Sequence, residues 1–186
     1  MMQGLRAYLR RFRRDEDGVV TVEFLIMFPL VVWTYVAMFV FFDMYRVNTQ
    51  HQKAAYVISD MLARETENIT PTYIDNTKKL FDYLMAVERD NAVRVSSIKY
   101  NADRERYEVV WSRARGDQQR LKTSDVSDWD DRLPLVADMD ELILVETWYT
   151  YKMSFSILEL NDIDLHSFVY TRPRFAPVLR YADTTS

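Results

Sequence analysis

The chain has 186 residues, a net charge of −4 from 24 Lys and Arg against 28 Asp and Glu, and no cysteine. Without cysteine there is no disulfide framework and no Cys-ligated metal. The acidic balance also lacks the basic footprint expected of a nucleic-acid-binding protein, and three glycines in all give no material for a glycine-rich phosphate loop.

The N-terminal 18 residues form a charged leader. Arg6, Arg10, Arg11, Arg13 and Arg14 stand against Asp15, Glu16 and Asp17, leaving the leader at +2 and the remainder at −6. From Val19 to Phe42 run 24 residues in which Glu23 is the only charge, and about 20 apolar residues suffice to cross the hydrocarbon core as a helix. The arginine cluster predicts a cytoplasmic N-terminus, because orientation follows Lys and Arg and largely ignores acids. The competing reading is a secretory signal peptide, which has an apolar region of about 7–15 residues followed by a small-residue cleavage site. Here the run is longer, and Asp43-Met44-Tyr45-Arg46 follows it with no Ala-x-Ala pattern. A retained single-pass anchor is expected, with the rest of the chain on the outer side of the inner membrane.

Gly18 followed by an apolar helix, with glutamate as the fifth residue after the glycine, resembles the processing site of type IV pilins and pseudopilins. The string Asp17-Gly18-Val19-Val20-Thr21-Val22-Glu23-Phe24, with Pro29 shortly after, is most similar to the TadE-like (TadE/TadF) minor pseudopilins of tight-adherence (Tad/Flp) pili. Residues 140–151 (DELILVETWYTY) and 172–177 (RPRFAP) resemble that family's late strand and closing segment, whereas residues 66–135 match only in pattern. The resemblance implies that a prepilin peptidase cuts after Gly18, so that 168 residues remain and Val19 becomes the new N-terminus. Val19 stands where phenylalanine or methionine is common, which leaves the rate of cutting and any N-methylation open. The implied partners are the inner membrane, the peptidase, other pilins and pseudopilins, and the pilus assembly machinery.

Two residues in the apolar run carry alternatives. Glu23 lies about 7 Å along the helix at 1.5 Å per residue, where a carboxylate near the membrane surface can snorkel without a role. With Gly18 removed it can instead meet the free α-amino group of Val19 in a neighbouring subunit, neutralising two charges that are costly to leave alone in an apolar setting. Pro29 removes a backbone donor and kinks a helix. It is either an inert kink or a flexible point that eases passage from membrane to filament.

Beyond the run, Tyr45, Val47, Ala54, Ala55, Val57, Ile58, Met61 and Leu62 recur on roughly one face, predicting one long helix over 19–66. Pro71, with Thr70 as N-cap, opens a second helix over 71–88 with Ile74, Leu80, Phe81, Leu84 and Val87 as its apolar face. Residues 92–100 and 105–113 alternate about a turn at 101–104 and predict an antiparallel hairpin. Residues 116–131 are polar and acidic, with Trp129 anchoring a short helix or loop. Residues 141–155 form the strongest strand, and its alternation predicts a sheet covered on one face and partly on the other. Residues 167–172 supply a last strand. The architecture is α+β, a long N-terminal helix with a membrane-spanning first half laid on a small antiparallel sheet, as pseudopilins have. The expected division is a leader over 1–18, a membrane helix over 19–42 and an extracytoplasmic, periplasmic domain over 43–186.

Catalytic chemistry finds no home in this pattern. His51 and His166 are the only histidines and no HExxH spacing occurs. The acids Asp125, Asp128, Asp130, Asp131, Asp138, Asp140, Asp162 and Asp164 lack the glycine-containing loop usual for calcium and read as solvated loops. Trp129, Trp148, Tyr149 and Tyr151 fit core packing better than an adhesive patch. No enzyme activity, metal or cofactor is expected. Two functions remain: a minor pseudopilin processed after Gly18, and an uncleaved single-pass binding or scaffold protein of a secretion or assembly complex.

Overall fold

The computed structural model describes residues 17–86, 91–152 and 162–183. Helix α1, Asp17–Ala63, contains Pro29 and crosses two compact units that divide between Asp43 and Met44. The first unit, as described, is the opening stretch of α1. The second holds the rest of α1, helix α2 (Pro71–Met85) and four strands: β1 (Asn91–Asn101), β2 (Arg106–Arg115), β3 (Glu141–Tyr151) and β4 (Ile163–Thr171). A single-turn helix α3 (Thr123–Val126) interrupts the segment between β2 and β3.

The sheet is antiparallel throughout, in the order β2-β1-β3-β4. The hairpin β1–β2 turns through a 3₁₀ turn at Ala102–Arg104, where the Asn101 side chain accepts from the Arg104 amide. A bulge shifts the register so that Ser97 faces Trp111 and Ile98 faces Val109, leaving Val110 unpaired between them. The bulge keeps the apolar residues of both strands on their proper faces, since a one-residue slip would invert every side chain beyond it.

One face of the sheet packs on the second part of α1 and on α2. Val47, His51, Ala54, Ile58 and Leu62 are buried at helical spacing and meet Val93, Val95, Ile143 and Val145 with Ile74, Phe81 and Met85. Tyr45 and Val57, expected on this face, are exposed, because they lie off the 47-51-54-58-62 stripe. Helix α1 ends three residues earlier than the sequence suggests. The Glu65 carboxylate takes the amides of Thr66 and Glu67, and the Arg174 amide donates to the Ala63 carbonyl at 2.8 Å. Thr70 caps α2 by accepting from the Tyr73 amide at 3.2 Å, with Pro71 at the first helical position. The helix closes with Ala86 in the left-handed region, φ 56°; Val87 lies outside the described residues.

The opposite face is covered by the segment after β2. Leu121, Val126 and Leu133 pack over Ile98, Tyr107, Leu142 and Leu144, with Trp129 against Phe168. Tyr107 donates its hydroxyl to the Pro134 carbonyl at 2.6 Å and holds the segment down. Strand β4 begins at Ile163, four residues before the expected start, and takes Asp164 into the sheet. Strand β3 ends at Tyr151; the remainder of its expected span past Lys152 lies outside the described residues.

Residues 172–183 return as a strap. Ile69 and Tyr181 form a parallel bridge, with Ile69 N–H to Arg180 O at 2.8 Å and Ala182 N–H to Ile69 O at 2.9 Å. Trp111 donates its indole N–H to the Leu179 carbonyl at 2.7 Å. Arg172 pairs with Asp140 and Arg174 with Asp60, so the RPR segment ties the end of α1 to the start of β3.

Candidate membrane anchor and the polar groups of the sheet

Gly18 lies in the first turn of α1, and Val19, Glu23 and Pro29 follow along the same helix. Arg6, Arg10, Arg11, Arg13 and Arg14 lie outside the described residues. Side chains are described from Val20 onward, and from Val20 to Tyr35 every one is exposed. This helix is long and apolar enough to cross a membrane. Residues 19–42 would span about 36 Å at 1.5 Å per residue, against a hydrocarbon core of about 30 Å.

Polar groups on this stretch are few, and some are satisfied within it. Thr34 donates its hydroxyl to the Leu30 carbonyl at 2.9 Å. Pro29 has no N–H to offer the Leu25 carbonyl, so that carbonyl needs another donor or a local distortion. Glu23 is exposed and sits beyond the first turn, where the favourable field of the helix N-terminus has largely fallen away. Among the described residues its carboxylate has no hydrogen bond or ion pair.

Two buried polar groups in the second unit escaped sequence reasoning. Glu146, 3 % exposed, sits on the β3 face otherwise made by Leu142 and Leu144. Arg94 Nε and Nη2 each reach its Oε2 at 2.6 Å, and Arg94 Nη1 donates to the Gln119 carbonyl at 3.0 Å. The same guanidinium lies 5.0 Å from the Trp148 ring centroid, while His166 stacks on that ring at 4.8 Å and approaches Glu146 Oε1 to 3.5 Å. The signal for this cluster was a lone carboxylate inside an apolar strand pattern, which demands a buried counter-charge.

His51 is fully enclosed between α1 and β3, with Nε2 3.0 Å from Thr147 Oγ1 and its ring edge-on to Phe81. Burial lowers its pKa to about 4, the charge of His166 acting in the same direction and the Thr147 contact opposing. The ring is neutral at physiological pH and belongs to the core.

Of the acids read as solvated loops, Asp125, Asp138 and Asp164 accept hydrogen bonds. Asp125 accepts from the Lys122 amide and the Ser124 hydroxyl, which hold its carboxyl below the usual range. Asp138 accepts from the Ala102 amide, and Asp164 from the Thr150 hydroxyl. Among the described residues no group of three or more His, Asp or Glu gathers as metal ligands do. Trp129, Trp148 and Tyr149 are half-buried, and Tyr151 is buried.

No protein family, curated protein or solved structure matches this chain. Fold and site define its class: an α+β domain on a four-stranded antiparallel sheet, carried by a long helix whose N-terminal part is long and apolar enough to cross a membrane.

Proposed function

We propose that this chain is a TadE-like minor pseudopilin, anchored by a single pass in the inner membrane with its α+β domain outside, and acting in assembly of a tight-adherence pilus. The observation that carries this reading is the position of Glu23: the only charge in residues 19–42, the fifth residue after Gly18, exposed on α1 and too far from the helix start to be held by the dipole. Cutting after Gly18 creates an α-amino group on Val19, and the same group on a neighbouring subunit supplies the missing counter-charge. Two charges brought together in lipid cost less than either one alone, and the pairing sets the axial register of one helix beside the next. The Arg-rich leader keeps the cut site on the cytoplasmic side, and Pro29 gives the anchor a weak point where the helix can yield as it leaves the bilayer.

The test is N-terminal sequencing of the protein extracted from membranes of cells with and without a prepilin peptidase. A start at Val19 that requires the peptidase, and that Gly18→Lys abolishes, supports the reading. An intact start in both strains overturns it and leaves the uncleaved anchored scaffold.

A further inference from the structure

The two edges of the sheet are treated differently by the chain. The β2 edge is covered: the Val109 amide donates to Thr123 Oγ1, Trp111 bonds to the Leu179 carbonyl, Arg113 lies over Tyr181 and pairs with Asp183, and Val110 forms a bulge. Among the described residues the β4 edge has no bulge and no such bond to its backbone, and the one stacked cation is Arg132 over the Phe168 ring. All nine residues Ile163–Thr171 pair with β3, without a bulge, a proline, a lysine or an arginine. Among the described residues no backbone hydrogen bond joins its outer edge to another element. A long, regular edge with a single carboxylate, Asp164, is a template for strand pairing, and proteins that do not use one normally blunt it. At nine residues, β4 is longer than the usual strand of about five or six.

We propose that β4 is a homotypic docking edge, pairing antiparallel with β4 of a second copy of this chain about a two-fold axis at Ser167. Ser167 is the midpoint of Ile163–Thr171, and this is the one antiparallel register that pairs all nine residues and leaves no overhang. It sets Leu165 opposite the partner's Val169, His166 opposite the partner's Phe168, and Asp164 opposite the partner's Tyr170. Aliphatic meets aliphatic, the imidazole meets an aromatic ring, and the carboxylate faces a phenol. No like charges meet, which is the condition cross-strand pairs impose. At the axis, where a residue must face its own copy, stands the small Ser167. Such an isologous contact uses up both edges and closes as a dimer, giving one continuous eight-stranded sheet. The contact uses neither Gly18 nor Glu23, so it stands or falls apart from the processing reading.

The absence of native cysteine makes the test direct. Opposed Cα atoms in an antiparallel pair lie about 4.5–5.5 Å apart, inside the range a disulfide spans. The full-length chain carrying Ser167→Cys, oxidised in native membranes, should give a covalent dimer, while Val110→Cys on the covered edge should not. On the Ser167→Cys background, Asp164→Lys with Tyr170→Lys sets lysine against lysine twice and should lower the yield by about ten-fold. Tyr170→Lys alone meets the partner's Asp164 and should keep the dimer. Amide exchange on the unsubstituted chain in detergent should show outward β4 amides whose protection falls on dilution. No covalent dimer, a dimer indifferent to the double substitution, or β4 exchange independent of concentration would each overturn the proposal.

Discussion

Gly116→Ala is the sharpest single test of how the sheet is closed at the end of β2. Gly116 has φ +88°, and a Cβ built there would meet the Asn91 carbonyl oxygen at 2.5 Å and the Ala92 Cα and Cβ at 2.9 Å. The positive φ costs an alanine about 1–2 kcal/mol. The contact adds about 1–3 kcal/mol as overpacking, because the atoms met are mainly backbone of the central strand β1 with no flexible end to swing aside. A loss of about 2–5 kcal/mol corresponds to a fall in Tm of roughly 10 °C for a domain of this size. The assay is thermal unfolding of the full chain in detergent followed by near-ultraviolet circular dichroism, with the exposed neighbour Asp117→Ala as control. A fall of less than about 2 °C for Gly116→Ala would refute the packing and strain argument together.

Glu146→Ala should destabilise the domain by about 3–5 kcal/mol, since it leaves the Arg94 guanidinium buried without its carboxylate; chemical denaturation should also show Arg94→Met with Glu146→Leu much closer to the parent than either single change. His51→Gln should remove part of the acid sensitivity. The folded pKa of His51, about 4, lies below the ordinary histidine value of 6.5, so the unfolded chain binds the extra proton between these values and stability falls as pH drops through that window. The effect is on the order of 3 kcal/mol, read as the difference between the two pH–stability curves; parallel curves would refute it. Glu23→Ala should leave cutting after Gly18 intact and impair piliation, and normal piliation by a processed variant would remove the assembly role of that carboxylate.

What was legible in the sequence follows the range of each signal. The apolar run, Pro71 and the period-2 alternation of β1 to β3 are local, and they fixed the element order and the α+β class. Strand β4 was read short because Asp162 and Asp164 look like loop residues; on an edge, a strand tolerates an exposed acid on one side while Ile163 and Leu165 pack on the other. The buried stripe of α1 was only partly legible, since its choice over Tyr45 and Val57 depends on where the sheet lies. The Arg94–Glu146 pair joins residues on two separate strands, with no local mark beyond an acid out of place. In the long apolar helix, the order Gly18–Glu23–Pro29 was visible at once because it is a spacing along a single helix. The jobs of Arg172 and Arg174 were not, because their partners Asp140 and Asp60 are distant in sequence.

The strap formed by residues 172–183 has a consequence for the order in which the domain can be made. The bond from the Arg174 amide to the Ala63 carbonyl and the bridge from Tyr181 to Ile69 join stretches more than a hundred positions apart. The carbonyl at the end of α1 therefore waits for a residue synthesised long after the helix itself. Such late, long-range closure is slow to form and leaves its partners open in the meantime. While the strap is still being made, β1 to β3 can pair and Phe81 can find its place, but the indole of Trp111 and the Ala63 carbonyl lack the partners they have in the finished domain. Any process that acts on the growing chain before residues 174–182 are made meets the end of α1 and Ile69 without these bonds.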